Sequence, residues 1–278
     1  MRPQVYRDER PPEHFARFHA RTRTRAPDAV YQVVRLISVV VGRAVFRLRV
    51  VDRGRVPHEG ACILASNHAS NLDHFFIAAP LRRPVQFMAK SQLFVPPLDW
   101  IYTHGGVFPV RRGARDEEAF VTARVVLEHG GCVAIYPEAG RSRTGRLADV
   151  PKPGVGRLAL ESGAPVVPVA VHGSAQIREW RRLRFPQITV RFGEPLRLER
   201  HEDPSREEQQ AAAETIFARV RALHAELERP VPPVDERTRD GRLPGGPGSG
   251  AMAPDALSRP PRARRRRPRA RPPAGRGA

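Results

Sequence analysis

The feature that most constrains the fold is a regular alternation of short β-rich runs with helical patterns from Val45 onward. The β-rich runs predict strands at 46–51, 61–66, 85–89, 107–110, 132–136, 166–171 and 188–192. Helical patterns lie between or after them at 71–81, 97–104, 116–128, 153–162 and 205–228. This alternation predicts an α/β fold with a largely parallel mixed sheet flanked by helices. In such folds, ligands bind at the carboxyl ends of the strands.

The two ends of the chain differ from this central part. After residue 228 the sequence turns to Pro, Gly and Arg, and it cannot bury enough apolar surface to offset its ordering entropy. We therefore predict an N-terminal amphipathic helical segment (1–50) at a membrane surface, a folded domain (51–229) and a disordered Pro/Arg-rich tail (230–278). The last helix begins with Ser205-Arg-Glu-Glu208, which fits a capping box.

The chain is strongly basic, with a formal net charge of +19 at pH 7. The residues after Arg229 contain twelve Arg and four acidic residues, so +8 belongs to the tail and the remainder to the folded part. A basic surface indicates an acidic partner, which includes anionic lipid, a phosphate substrate, an acidic carrier protein and nucleic acid.

Neither a secretory leader nor a membrane span is evident. The first fifteen residues are charged and contain no apolar h-region. The stretch Val30–Val51 is the most apolar, but arginines interrupt it, so it falls short of the about 20 mostly apolar residues that a spanning helix needs. It fits either a helix in the membrane interface or a core helix leading into a strand. Cys62 and Cys132 lie in apolar runs and predict buried thiols, with no disulfide framework or metal-binding spacing.

A histidine and an aspartate follow the second predicted strand, in Asn67-His68-Ala-Ser-Asn-Leu-Asp73. Ser70 or Asn71 is a suitable N-cap for the next helix, so His68 lies in a loop that can fold back toward Asp73. A carboxylate on one ring nitrogen leaves the other nitrogen free to accept a proton. This is the base half of a catalytic triad without a Ser or Cys nucleophile, so a substrate hydroxyl would be the proton donor. Taken alone, the motif favours a capping loop with a solvated histidine.

Three further motifs lie along the chain, and a helix start stands between the last two of them. Gly105-Gly-Val-Phe-Pro-Val-Arg111-Arg112 ends in two guanidiniums, which suit bidentate phosphate binding or form a solvated basic turn. Tyr136-Pro-Glu-Ala-Gly-Arg-Ser142 places Glu and Arg three apart, so they can pair or face an anionic ligand. Lys152-Pro-Gly-Val-Gly156 opens a helix whose free N–H groups suit an anion. Val166-Val-Pro-Val-Ala-Val171 is a buried strand whose proline predicts a sheet edge or a bulge.

Together, and in this order, the motifs resemble those of the lysophospholipid and glycerol-phosphate acyltransferase family, which includes 1-acylglycerol-3-phosphate O-acyltransferases. The family's motifs read N-H-x-S-x-x-D, G-x-x-F-x-x-R, F-P-E-G-T-R-S and V-P-V. The resemblance extends from about Val51 to Gly193. In the third motif, Ala139-Gly140 replaces Gly-Thr and Tyr136 replaces Phe. The threonine hydroxyl that is lost here is one possible donor to the substrate phosphate. Its loss leaves the identity of the acyl acceptor open, while the reaction class stays the same.

The resemblance implies transfer of a fatty acyl group from an acyl thioester to the free hydroxyl of 1-acylglycerol 3-phosphate. The product is phosphatidate, an intermediate of phospholipid biosynthesis. His68 would be the general base and Asp73 its orienting partner. The donor would be acyl-CoA or an acyl carrier protein, and the reaction would need no metal or redox cofactor.

The resemblance also implies a set of substrate-binding residues, all charged and all following strands: Arg111, Arg112, Glu138, Arg141 and Lys152. One of the two neighbouring arginines would hold the substrate phosphate, while Glu138 and Arg141 would shape the acceptor site. The partners would be the acidic donor, a lysophosphatidate-like acceptor and an anionic membrane surface. We therefore expect a peripheral or monotopic protein on the cytoplasmic face of the cell membrane.

Two other functions stay open from the sequence. The first is an acyltransferase that uses another acceptor, such as glycerol 3-phosphate or a sugar lipid. The second is a non-catalytic protein that binds nucleic acid through the basic run Arg264–Arg267, without sequence specificity. The tail has no interleaved aromatic residues for stacking on single strands, so nucleic acid is the weaker expectation.

Overall fold

The structure is a computed structural model that describes residues 8–111, 116–142, 145–177 and 185–228. The helices are α1 (Glu13–Thr24), α2 (Ala29–Ala44), α3 (Asp73–Ala78), α4 (Leu98–His104), α5 (Glu117–Glu128), α6 (Gly154–Ser162) and α7 (Arg206–Glu228). The strands are β1 (Arg49–Val51), β2 (Cys62–Ser66), β3 (Gln86–Lys90), β4 (Val107–Val110), β5 (Cys132–Ile135), β6 (Val166–His172) and β7 (Thr189–Phe192). The predicted tail lies outside the described residues, and the boundaries at 50 and 229 stay predictions.

The strands of the described residues form one sheet in the order β1-β7-β6-β2-β5-β3-β4. All neighbouring pairs run parallel except β6 and β7, which are antiparallel. Side chains of β2 alternate between two cores, with Cys62 and Leu64 on one face and Ile63 and Ala65 on the other. The first core lies under α3 and the second lies under α5, α6 and α7. The predicted α/β fold with a largely parallel mixed sheet is therefore confirmed.

The proline of the fourth motif lies in an interior strand, so of the two predicted alternatives, a sheet edge or a bulge, the sheet edge was wrong. Strand β6 pairs with β2 on one side and β7 on the other. Pro168 is in register with Ala65 of β2, whereas pairing with β7 begins one residue later, at Val169. The Pro168 carbonyl accepts a hydrogen bond from the N–H of Gly193 at 2.7 Å. Antiparallel pairing on this side resumes at Val166, which pairs with Leu196 one residue out of the β7 register, so the position fits the predicted bulge.

Local sequence signals account for several helix ends and for the cysteines. The N–H of Ser205 donates to Glu208 Oε2 at 2.7 Å, and the N–H of Glu208 donates to Ser205 Oγ at 3.2 Å, which confirms the capping box. Asp28 caps α2 by accepting the N–H of Val30. Cys62 and Cys132 are buried free thiols, as expected.

Helix α2 corresponds to the apolar N-terminal stretch and has two unlike faces. Tyr31 and Gly42 are buried. The exposed apolar side chains recur at helical spacing and form one face, which we call the α2 apolar face: Val33, Leu36, Ile37, Val40 and Val41. Among the described residues, no helix combines the length and apolarity that crossing a bilayer requires.

Candidate active site

His68 leaves the carboxyl end of β2 and folds back onto the first residue of α3. Its Nδ1 lies 2.9 Å from Asp73 Oδ2. The same oxygen, on a fully buried side chain, also accepts the N–H groups of Ala69 and Ser70, each at 2.8 Å. Three donors therefore fix this carboxylate. Because the carboxylate accepts a hydrogen bond, Nδ1 carries the proton in this tautomer and Nε2 is left as the proton acceptor.

The loop before α3 makes this geometry possible, and it differs in detail from the prediction. The helix begins at Asp73, and Leu72 occupies its N-cap position without a side-chain cap. The predicted N-cap at Ser70 or Asn71 was wrong, because the Asp73 carboxylate binds the loop N–H groups itself. Ser70 Oγ instead accepts the N–H of Leu72 at 3.3 Å. The non-helical residues between His68 and Asp73 let the two side chains meet, as predicted.

The third motif packs directly against the first. The N–H of His68 donates to Glu138 Oε1 at 3.0 Å, and the carbonyl of His68 accepts the N–H of Ser142 at 2.7 Å. The Tyr136 ring stacks on the imidazole, with centroids 4.0 Å apart and planes at 16°. Ala139, which stands where the family pattern has glycine, adopts a positive φ of 49°. The departure from the family pattern is therefore accommodated by a left-handed alanine, at some cost in strain.

Glu138 is a half-buried carboxyl group of this site with a raised pKa. Burial raises the pKa of Glu138 to about 7, and the nearby Asp73 charge acts in the same direction. Hydrogen bonds from the N–H groups of His68 and Ala148 oppose this rise in pKa. Glu138 holds the backbone of His68, and no ion pair joins it to Arg141 within the described ranges. A carboxyl that titrates near neutral pH beside a candidate base is typical of a functional site.

Arg111 lies just past β4, where the second motif ends. Its N–H donates to Asp116 Oδ2 at 2.5 Å, and Asp116 also caps α5 through the N–H of Ala119. Its Nε is buried and has no hydrogen-bond partner among the residues that the structure describes. The backbone of Arg111 is therefore fixed, while its guanidinium retains donors for a ligand. Arg112, the other arginine predicted to bind phosphate, lies outside the described residues.

The remaining predicted cations lie beside the third motif. The side chain of Lys152 is exposed, and its backbone N–H donates to the carbonyl of Pro137 at 2.8 Å just before α6 begins. Arg141 is half-buried on the turn that follows Glu138. The third motif thus brings Glu138 beside His68, and the backbone of Lys152 is bonded to the same motif.

Two residues of the site were given no role by the sequence analysis. Asn67 is buried, donating to the carbonyl of Val171 at 2.9 Å and accepting its N–H at 2.8 Å, so it ties β2 to β6. His74 packs between the rings of Phe75 and Phe87, and desolvation, with a smaller contribution from His68, lowers the pKa of His74 to about 4. Asn67 matches the Asn of the first motif's pattern, and that match could have indicated a role for it. Nothing in the sequence distinguished His74.

A cavity of about 1010 Å³ opens beside the His68 loop. Tyr136 and Glu138, which both contact His68, line it, although His68 itself does not. Its wall combines apolar side chains with charged side chains of both signs: Met88, Val110, Phe120, Ile135 and Val155; Lys152, Arg157 and Arg206; and Asp116, Glu117, Glu161 and Asp203. The volume is at the upper end of the range for ligand sites, which suits a large substrate with both apolar and polar parts.

Comparison with known proteins relates this fold and site to a protein family. Residues 47–172 match the family model described as Acyltransferase, which confirms the resemblance drawn from the motifs. Human 1-acyl-sn-glycerol-3-phosphate acyltransferase beta is 32% identical over 149 residues, covering 52% of this chain and 53% of that protein. The glycerol-3-phosphate acyltransferase of Pseudomonas syringae pv. tomato is 27% identical over 223 residues, covering 62% of this chain and 26% of that protein.

The chain spans about half the length, or less, of the curated 1-acyl-sn-glycerol-3-phosphate acyltransferases it matches. A solved structure also shares the fold. The crystal structure of the 1-acyl-sn-glycerophosphate acyltransferase PlsC from Thermotoga maritima aligns with a TM-score of 0.56 at 20% identity. The alignment covers 78% of this chain and 90% of that one.

Proposed function

We propose that the protein transfers a fatty acyl group from an acyl thioester to the free hydroxyl of 1-acylglycerol 3-phosphate, giving phosphatidate for phospholipid biosynthesis. The observation that carries the proposal is the 2.9 Å contact between His68 Nδ1 and the buried carboxylate of Asp73. The third motif holds the backbone of this histidine on both sides. A relative named for this reaction supports the choice of acceptor.

The proposed chemistry is a base-assisted attack on the thioester. His68 Nε2 takes the proton of the acceptor hydroxyl as its oxygen attacks the thioester carbonyl, and Asp73 stabilises the imidazolium through Nδ1–H. The tetrahedral intermediate then collapses, the C–S bond breaks, and the leaving thiolate takes the proton from the imidazolium. The products are the new ester and the free thiol of CoA or of an acyl carrier protein. We propose that this reaction uses no metal or redox cofactor.

The proposed acceptor is held by its phosphate. The Nε of Arg111, which has no partner among the described residues, would gain a charge-assisted hydrogen bond, which is stronger than one between neutral groups. Arg112 follows directly in the sequence, and Lys152 and Arg141 add positive charge on the side of the third motif. Glu138 lies between the cavity and His68, so it shapes the acceptor site by fixing the base. The basic chain would also attract either acidic donor.

A direct assay tests the proposal and its main rival. Labelled acyl-CoA, and in parallel labelled acyl carrier protein, is supplied with lysophosphatidate, glycerol 3-phosphate or a sugar lipid as acceptor. We expect labelled phosphatidate, with kcat/KM highest for lysophosphatidate. Glycerol 3-phosphate is the second candidate acceptor because a relative with that activity in its name matches a larger part of this chain. Product from glycerol 3-phosphate alone would replace our acceptor with that one.

We further propose that the protein sits on the cytoplasmic face of the cell membrane through apolar side chains. The α2 apolar face is exposed, with Leu36 at 63% and Ile37 at 56%. Helix α2 contacts α4, and residues in and before α4 expose a second apolar group: Leu93, Val95, Leu98, Trp100 and Ile101. A helix that is apolar on one face and carries arginines suits the boundary between headgroups and acyl chains.

Vesicle sedimentation tests this location. Leu36→Glu combined with Ile37→Glu places two charges on the α2 apolar face. We expect most binding to vesicles of anionic phospholipid to be lost, while acyl transfer to detergent-dispersed lysophosphatidate is retained. Val150→Glu is the matched control, because Val150 is 64% exposed but lies outside both apolar groups. Equal sedimentation of the double variant and the control would refute the proposed membrane face.

A further inference from the structure

A second cluster of ligating side chains lies at the end of α7, outside the site described above. His224 and Glu228 are one helical turn apart, with Nδ1 and Oε1 separated by 3.5 Å. His172, the last residue of β6, faces His224 with ring centroids 5.6 Å apart. One nitrogen or oxygen from each of the three residues lies within 4.8 Å of the others.

These three groups form a donor set that suits a transition-metal ion. Two imidazoles and one carboxylate are among the ligand sets that bind zinc, at bond lengths of about 2.0–2.2 Å. Tetrahedral ligands at those lengths are about 3.4 Å apart, close to the 3.5 Å between His224 and Glu228. His172 is half-buried and Glu228 is exposed, so rotation of these side chains can shorten the longer separations.

We propose that His172, His224 and Glu228 bind a divalent transition-metal ion of the zinc class. Three protein ligands leave a fourth position for water or a small anion. The ion would join the last described turn of α7 to the end of β6. It has no part in the acyl transfer proposed above, and the inference stands independently of that reaction.

The place of the cluster in the fold gives such an ion a structural consequence. His172 follows Val171, whose backbone N–H and C=O are both bonded by the side chain of Asn67. Asn67 in turn precedes His68. An ion at His172 would therefore stabilise the carboxyl ends of β6 and β2, from which the His68 loop emerges. It would do so because it binds the folded chain and not the separated ligands of the unfolded chain.

Calorimetric titration of the metal-free, untagged full chain with zinc tests the proposal. We expect one ion per chain in the wild type. Affinity should fall at least about tenfold in His172→Ala and in Glu228→Gln, and these two sites are partly exposed, so the variants should fold. His201→Ala is the matched control, since His201 Nδ1 lies 3.3 Å from Glu208 Oε1 in an exposed pair without a third ligand. Its affinity should be unchanged.

Two results would overturn the inference. One is equal zinc affinity in the wild type and all three variants, which would indicate scattered surface histidines. The other is binding that persists in His172→Ala and disappears in His68→Ala, which would place the ion at the active-site pair. Thermal unfolding supplies a second readout. Zinc should raise the Tm of the wild type and of His201→Ala, and it should leave the Tm of His172→Ala unchanged.

Discussion

Bonds within the protein hold both the backbone and the side chain of His68, whereas those given for Arg111 within the described residues hold its backbone. His68 is fixed through its ring nitrogen, its N–H and its carbonyl, and the Asp73 oxygen that it contacts accepts two further N–H groups. Arg111 is fixed only through its backbone, and its Nε has no partner among the described residues. A base must be positioned before the substrate arrives, while a phosphate-binding cation gains its partner from the substrate.

This difference predicts different kinetic effects for substitutions on the two sides. Changes on the His68 side should mainly lower kcat, since that side acts on the transition state. Changes on the Arg111 side should mainly raise KM for a phosphorylated acceptor.

The largest effect is expected from His68→Ala. Loss of the base should lower kcat for transfer to lysophosphatidate by about a thousandfold or more, because general base catalysis typically contributes about 10²–10⁴ and positioning of the hydroxyl is lost as well. A steady-state assay that follows labelled phosphatidate measures this kcat. His201→Ala, which removes an exposed histidine from a His–Glu contact, should match the wild type. A loss of less than tenfold in His68→Ala would remove this residue as the base.

A smaller effect is expected from Arg111→Ala, and it should fall on KM. Loss of a charge-assisted hydrogen bond to phosphate should raise KM for lysophosphatidate about 10- to 100-fold, with less change in kcat. Arg191→Ala is a suitable control because Arg191 pairs with Asp52 and Glu226. Monoacylglycerol, which has no phosphate, should be used equally by Arg111→Ala and the wild type. A KM rise for both acceptors would show that Arg111 acts on something other than the phosphate.

Glu138→Gln should change the pH dependence of stability. The pKa of Glu138 is raised from 4.5 to about 7 by burial, so the folded state binds this proton more tightly than the unfolded state. Stability from this group is therefore greatest below about pH 4.5 and declines as pH rises toward about 7. The variant should show a smaller drop in Tm between about pH 5 and pH 8. Glu199→Gln, at an exposed position, should keep the wild-type pH dependence; an unaltered drop in Glu138→Gln would disprove the pKa assignment.

The smallest effect is expected from Tyr136→Phe. The Tyr136 hydroxyl is buried without a hydrogen-bond partner among the described residues, while its ring stacks on His68. Phenylalanine keeps the stacked ring and removes the unsatisfied hydroxyl, so Tm should stay the same or rise slightly and kcat should change by less than about threefold. Thermal unfolding and the acyl-transfer assay measure both. A large fall in kcat would assign the hydroxyl a role in the reaction.

Much of this site could be predicted because its residues lie close together along the chain. Strand β4 was predicted to the residue, and the meeting of His68 with Asp73 followed from a short loop between a strand and a helix. The contact of Glu138 with the N–H of His68 could not be derived, since it depends on the neighbouring positions of β2 and β5 in the sheet. The cluster of His172 with His224 could not be predicted either, since it depends on the packing of α7 against β6.

The wrong predictions also have physical causes. The N-cap was assigned to Ser70 or Asn71 from residue preference alone, but the buried Asp73 carboxylate had already taken the loop N–H groups. The missing N–H of Pro168 predicted a sheet edge or a bulge, and the edge was wrong because an interior strand can hold proline where pairing on one side is interrupted. In both cases tertiary context decided between local alternatives.

The most direct test of this account is a double-mutant cycle on His68 and Asp73. The account holds that the two act as one unit, with Asp73 working only through the imidazole. Asp73→Asn alone should lower kcat by about 10²–10⁴, because the hydrogen-bonded tautomer is lost. The double variant His68→Ala with Asp73→Asn should then be no slower than His68→Ala. Losses that multiply in the double variant would show two independent contributions and contradict the proposed base and orienting partner.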